Sequence, residues 1–470
     1  MRGIMRGIWK TVTALIVLLC VSAASCHSKK ETDDSATIPA QTETDSQTSE
    51  TETSAPIEPE TFATEQPETE AHTLEIEDSE RLWSMAEIQE WNKSLYDTAG
   101  LMMTDLTAMP ETISGQEIRA QIEQTAFPDK NLLDGAPVTA EAKAAILAQR
   151  NLDQIPEMIV VQSAIVTEYS AIRSFPTEQV LQDTAGANTR FQEDFDYFQE
   201  TGIAPGNCVW ICHKTADGGW SYVITEEYHG WIRSDHLAQI TREHLAEQVS
   251  MQRTGEQLLV TLEYLDLEGY HLPMGTALPI ERETSDAWSV ALPKRGTDGS
   301  LETVSVTIDK ADESFHAGYL PFTEELLRKQ GERCIGIPYG WGDQGGNPDC
   351  SSTIQAIYHC FGIRLPRNSS SMNQLPCFRR EFAGDGVTPA SLGDLPLGTI
   401  LYVPGHVMLY WGQDAEGHDL ILHNTTRFRS PEGGELQRIR QCVLTRADIH
   451  NVNDQPMNCC LRAAICLWKK

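Results

Sequence analysis

One cysteine, Cys350, stands between a glycine-rich turn and a stretch of helical periodicity, and that placement could make it a nucleophile. The turn runs Ile337-Pro-Tyr-Gly-Trp-Gly-Asp-Gln-Gly-Gly-Asn-Pro-Asp349. After Cys350, the residues Ile354, Ile357 and Phe361 share one helical face, and Gly362 is placed to end it. A thiol at a helix start meets unpaired backbone N–H groups and the positive end of the helix dipole, and both favour the thiolate. The sequence therefore predicts a Cys350 thiol that titrates well below the ordinary value of about 8.5. Asp349 is placed to cap the same helix.

A cysteine nucleophile needs a base for its proton and a third polar group to fix that base. Thr399-Ile-Leu-Tyr-Val-Pro-Gly-His406-Val-Met-Leu-Tyr-Trp-Gly412 reads as strands broken at Pro-Gly, and Asp419-Leu-Ile-Leu-His423 as the next strand. Pairing of those strands would bring His406 and His423 together, and with Cys350 they predict a Cys–His–His relay. His418 lies in the intervening turn beside Gly417 and is expected in solvent.

The elements that position these groups follow in order along the chain. Residues 79–155 read as a helical segment, with Ser84 as N-cap, Glu87 at the capping-box position, and an Ala-rich helix opened by Thr139. Residues 156–240 and 241–321 change to short alternating runs separated by turns, which predicts two small β-barrels. Residues 322–470 place helices first and antiparallel strands after, an α+β order.

At 470 residues the chain is too long for one core. Its net charge of −32 is concentrated. Residues 31–80 hold sixteen Asp and Glu and no Lys or Arg, about half of the excess. No basic stripe is interleaved with aromatics, so nucleic acid is not an expected partner. Arg2, Arg6 and Lys10 precede an apolar run from Thr11 to Val21, the pattern of a secretory signal. Ala23-Ala24-Ser25-Cys26 resembles a bacterial lipobox, which makes Cys26 the expected lipidation site and residues 1–26 the signal peptide. Residues 27–78 are Thr, Glu, Ser and Pro with little apolar content, the composition of a disordered tether. The twelve cysteines are dispersed, and Cys208-x3-Cys212 and Cys459-Cys460 lack the second half of a zinc site. Neither a metal nor a cofactor is expected.

Tyr339-Gly-Trp-Gly with Asp349-Cys-Ser, then Phe361-Gly-Ile-Arg-Leu-Pro-Arg-Asn-Ser-Ser370, then Gly405-His-Val-Met-Leu-Tyr-Trp-Gly412 resembles the NlpC/P60 cysteine peptidases of cell-wall turnover. Upstream, Ala171-Ile-Arg-Ser-Phe-Pro-Thr177, Asp217-Gly-Gly-Trp220 and Gly230-Trp231 resemble the first bacterial SH3-like domain of multidomain members. Gly275-Thr-Ala-Leu-Pro279 and Gly318-Tyr-Leu-Pro-Phe-Thr323 resemble the second. The likeness spans about residues 79–430 and leaves the last forty residues unanchored.

The resemblance implies a papain-like catalytic domain behind two SH3-like barrels and a helical segment. It implies Cys350 as nucleophile, His406 as base, His423 as its orienting group, and Tyr339 with the Cys350 N–H at the oxyanion. Asp349, Ser351, Tyr339 and Trp341 would contact substrate, Asp349 near the ammonium of a free N-terminal L-alanine. The expected reaction is hydrolysis of the γ-D-glutamyl–diamino acid bond in peptidoglycan stem peptides or muropeptides. An N-acetylmuramoyl-L-alanine amidase, an acyltransferase of the same fold and a non-catalytic wall-binding lipoprotein are the alternatives. The site is expected outside the cell, on a lipid-anchored or periplasmic protein. Where the family usually has Gly-Gly after the Trp, this chain has Gly342-Asp343, with Asp343 expected at the surface. Tyr169 and Arg173 are the expected places for SH3-like residues that close the pocket.

Overall fold

The computed structural model describes residues 81–183 and 195–469. The signal-like segment, Cys26 and the acidic stretch to residue 78 lie outside the described residues.

The first helix, Met85–Tyr96, has the expected reciprocal cap between Ser84 and Glu87. Its buried residues Ile88, Trp91 and Leu95 join the same core as Ile354, Ile357 and Phe361 of the C-terminal part. Asn92 brackets the chain there, donating to Gly362 O at 2.7 Å and accepting from Arg364 N at 2.8 Å. This segment is thus welded to the core of the C-terminal part. It also contains short strands, such as Thr112–Ser114, where a purely helical segment was expected.

The next unit is a seven-stranded antiparallel sheet. Its order is Leu237–Ile240, Gln162–Val166, Cys208–Lys214, Trp220–Ile224, His229–Arg233, Ser170–Arg173 and Gln199–Ile203. Inward positions alternate along the strands and place Trp210, Tyr222 and Trp231 in one core, as period-2 patterning requires. The helix Arg242–Thr254 follows, which the sequence reading passed over. Its signals were present: a Thr241 cap and a left-handed Gly255 at φ 78°. The second unit is a five-stranded sheet from Gln257 to Ala317, closed around Leu258, Val290 and Leu292.

The C-terminal part opens with the helix Glu324–Arg333, capped by Thr323, and the helix Cys350–His359. These pack on a six-stranded antiparallel sheet ordered Phe378–Glu381, Ala463–Cys466, Ile400–Val403, His406–Gln413, Asp419–Ser430 and Gly433–Arg446. Residues beyond the stretch that carries the resemblance are therefore anchored as an interior strand of the sheet. Ala463–Cys466 is a fully buried apolar run between two neighbours. Its lack of alternation is what hides such a strand from a period-2 reading.

Gly331 lets the first of these helices approach the sheet. A Cβ at this position would sit 2.1 Å from the Trp411 ring and 2.9 Å from Leu422. In a free helix, alanine would gain about 1 kcal/mol over glycine. Here Gly331→Ala should instead destabilise by about 1–3 kcal/mol, the usual cost of overpacking, read as a lowered midpoint in urea unfolding.

Candidate active site

Cys350 is the first residue of its helix, and Asp349 is the N-cap. One carboxylate oxygen of Asp349, Oδ1, accepts from Ser351 N, Ser351 Oγ and Ser352 N, each at 3.0 Å. The thiol is buried and receives a hydrogen bond from the Val407 backbone N–H. That contact sets it beside the strand that His406 opens. The strand is turned into place by Pro404-Gly405, with Gly405 at φ 83° and Val403 paired to His406. Proline then glycine is what a type II two-residue turn requires.

His406 Nε2 lies 3.1 Å from His423 Nδ1, and His423 Nε2 lies 3.2 Å from Thr445 Oγ1. The three form one line from the long Asp419–Ser430 and Gly433–Arg446 hairpin to the start of the strand whose Val407 N–H meets the thiol. With the His406 proton on Nε2, His423 accepts it at Nδ1 and donates from Nε2 to Thr445. His406 Nδ1 is then left with an open lone pair, the state a base needs. Thr445 was missed in the sequence, since nothing local marks a strand threonine as the end of a relay. His418 pairs with Asp414 in the turn, away from this line.

Burial governs the protonation states. Desolvation pushes the Cys350 thiol up to about 12, with Asp349 adding to the rise and the Val407 N–H opposing it. Desolvation likewise brings His406 down to about 4 and His423 well below its usual range. The resting pair is thus neutral thiol and neutral imidazole. The expected low thiol pKa does not hold, because the site loses more solvation than the helix end returns.

Tyr339 is fixed by its backbone N–H to Arg440 O at 2.9 Å. Burial and the nearby Cys350 push its phenol upward, so it stays a donor. Trp341 is 37 % exposed. Its ring stacks on Phe195 at 5.1 Å, and Tyr197 lies at 5.7 Å. Phe195 also meets Tyr339 at 6.0 Å. Lys130 sits 4.2 Å over the Tyr197 ring. An aromatic wall built from two domains thus flanks the cysteine, and Phe195 and Tyr197 carried no sequence signal as members of it.

Asp343 departs most from expectation. It is buried, not at the surface. Its Oδ2 accepts from Thr201 Oγ1 at 3.1 Å, Gly202 N at 3.0 Å and Arg367 Nη2 at 3.2 Å. Arg367 is 5 % exposed and reaches Asp349 Oδ2 at 2.8 Å, Ser351 Oγ at 2.7 Å and Thr201 Oγ1 at 2.6 Å. Arg367 holds the Asp349 carboxyl low, while burial carries Asp343 upward. Asp349 is therefore an N-cap, as read, and an ion-pair partner, which was not. Arg367 was visible only as the Arg of Leu-Pro-Arg-Asn. Tyr169 does reach the catalytic loop, donating to Asp343 O at 3.4 Å. Arg173 does not, being paired to Asp196 at 2.7 Å inside its own sheet.

A cavity of about 170 Å³ runs along the helix Cys350–His359, lined by Tyr169, Thr201, Asp343, Ser352, Gln355 and Arg367 among others. Cys350, Asp349 and His406 do not line it, so it is not the cleft that presents a bond to the thiol. Among the described residues, Asp414, Glu416 and His418 are the group with metal-ligand spacing. They sit on the hairpin turn, with Asp414 bonded to the Glu416 and His418 amides, and the relay does not use them.

Residues 336–438 match the NlpC/P60 family, and residues 183–233 match the SH3 domain of SH3b1 type. Residues 336–438 thus form an NlpC/P60 domain with the papain-like fold, and residues 183–233 an SH3b domain. The fold is shared with an NlpC/P60 endopeptidase from Photobacterium damselae subsp. piscicida. That likeness has a TM-score of 0.64 at 17% identity and covers 84% of this chain and 96% of the other. An NlpC/P60 family protein from Bacillus cereus ATCC 10987 aligns with a TM-score of 0.43 at 16% identity, over 65% of this chain and 100% of the other. No curated protein matches the chain.

Two measurements check the electrostatics. The buried histidines take up protons on unfolding once the pH falls below the free value of about 6.5. Stability should therefore be complete above that value and decline as the pH drops towards 4, where His406 itself titrates. The thermal midpoint should follow this course, and less steeply in His406→Gln. Alkylation of Cys350 by iodoacetamide should keep rising beyond pH 9 instead of levelling near neutrality.

Proposed function

We propose that the chain is a cell-wall cysteine endopeptidase that hydrolyses the γ-D-glutamyl–diamino acid amide bond of peptidoglycan stem peptides. The observation that carries this reading is a buried thiol at a capped helix start, beside a His406–His423–Thr445 relay in an NlpC/P60 domain. Both domain types point to peptidoglycan binding or processing.

In this mechanism Cys350 Sγ bonds to the amide carbonyl carbon while its proton passes to His406 Nδ1. The carbonyl oxygen becomes an oxyanion met by the Cys350 N–H and the Tyr339 phenol. The C–N bond then breaks, His406 returns its proton to the departing amine, and a thioester remains. Water attacks that thioester with His406 again as base, releasing the acid and restoring the thiol. His423 and Thr445 hold His406 in the required tautomer throughout. Because the resting pair is neutral, proton transfer accompanies attack rather than preceding it.

Asp349 Oδ2 takes Arg367 alone among the described contacts, so it retains a lone pair for the ammonium of a free N-terminal L-alanine. Ser351 lies beside it, and Tyr339 and Trp341 flank the cleft. We place the enzyme outside the cell, tethered by a lipid on Cys26 at the bacterial membrane or in the periplasm.

Defined muropeptides, with and without a free N-terminal alanine, test the bond and the end group. L-Ala-γ-D-Glu should be released from the free-amine substrate and disappear with Cys350→Ala. Intact stem peptide as product would make the enzyme an amidase, and absence of any turnover would leave a wall-binding protein. For the anchor, Cys26→Ala should move the protein from the membrane fraction to the soluble fraction. Unchanged fractionation would remove Cys26 from that role.

A further inference from the structure

We propose that Asp343 is a positioning residue that latches the first SH3-like sheet to the start of the nucleophile helix. The inference rests on the reading of Cys350 as nucleophile, and it assigns to the SH3-like domain a part in setting the thiol. The side chain faces two ways. Through Oδ2 it holds Thr201 Oγ1 and Gly202 N of the strand Gln199–Ile203. Through Oδ1 it accepts from Ser352 Oγ, and the Asp349 N–H approaches the same oxygen at 3.4 Å. Ser352 Oγ in turn accepts from Asp349 N at 2.8 Å, closing the capping box directly ahead of Cys350.

Further bonds repeat the connection. Arg367 Nε donates to Thr201 Oγ1 while its Nη atoms grip Asp349. Gln199 Nε2 donates to Gly342 O at 2.8 Å, and Asp196 N to Gln344 Oε1 at 3.2 Å. The catalytic turn from Gly342 to Gln344 is thus bound across the domain seam on three consecutive residues. Of these, Asp343 has a side chain that also reaches the helix cap. Its backbone sits at φ 63°, in the left-handed region that favours glycine. Glycine would suit the turn, so the carboxylate is there for what it holds.

That backbone provides a clean test. Asp343→Gly removes the side chain without straining the turn. Asp343→Asn keeps one acceptor for Thr201, Gly202 and Arg367 and offers a donor to Ser352, losing the charge and the weaker acceptor that faces the Asp349 N–H. On a muropeptide substrate, Asp343→Gly should lower kcat on the order of 10- to 100-fold, the scale expected when a reacting group is displaced, with KM nearly unchanged. Asp343→Asn should restore most of that loss. Hydrogen exchange gives a readout independent of turnover, so it survives failure of the substrate assignment. Peptides covering 199–203 and 349–354 should both exchange faster in Asp343→Gly and not in Asp343→Asn. Thr201→Val, cut from the other side of the seam, should speed exchange in 349–354 and carries the test if the glycine variant does not fold. The latch is overturned if exchange changes only within 341–347, if kcat is unchanged in Asp343→Gly, or if asparagine is as damaging as glycine.

Discussion

The guanidinium of Arg367, enclosed by the carboxylates of Asp343 and Asp349, is the interaction on which the arrangement of this site depends. Two acids share one guanidinium in a buried space, and such a group persists only when its remaining lone pairs are hydrogen-bonded. Here Ser351, Ser352, Thr201 and Gly202 meet that need. Those four residues come from two domains. Solvating the cluster would therefore part the domains and uncap the nucleophile helix together. The first helix belongs to the same construction, because Asn92 fixes the chain at Gly362 and Arg364, just ahead of Arg367.

Desolvation is the second constraint, and it cuts against a simple reading of the helix end. A thiol at an exposed helix start would gain acidity from the dipole. Cys350 lies at such a start but beneath a covering wall, and its neighbour Asp349 carries a negative charge. The same covering keeps His406 and His423 neutral. A neutral pair retains the proton until a carbonyl arrives, which also protects the thiol from adventitious oxidants, since those attack the thiolate.

Much of the catalytic part was legible because its signals are local. The Ser84 and Thr139 caps, the Pro404-Gly405 turn and the Gly-rich run before Cys350 each declare a conformation within a few residues. The pairing of His406 with His423 followed from strand order and turn length. What could not be read depends on distant partners. Arg367, Thr201 and Asp343 are ordinary polar residues in sequence, and only the fold brings them within bonding distance. Asp343 is instructive, since an acidic residue in a glycine-rich turn is usually solvated, and here a neighbouring domain buries it. Phe195 and Tyr197 became part of the cleft for the same reason. The helix Arg242–Thr254 was readable from its caps but was overshadowed by the strand patterns around it.

The strand Ala463–Cys466 bears on the timing of folding. It lies between Phe378–Glu381 and Ile400–Val403, and the latter pairs directly with the strand of His406. Some sixty residues beyond His406 must therefore be in hand before the sheet can close, and contacts of such sequence separation form slowly. Until then the relay has no rigid backing and the thiol no fixed partner. An NlpC/P60 domain assembled in this order has no complete relay until the whole of its chain is in place.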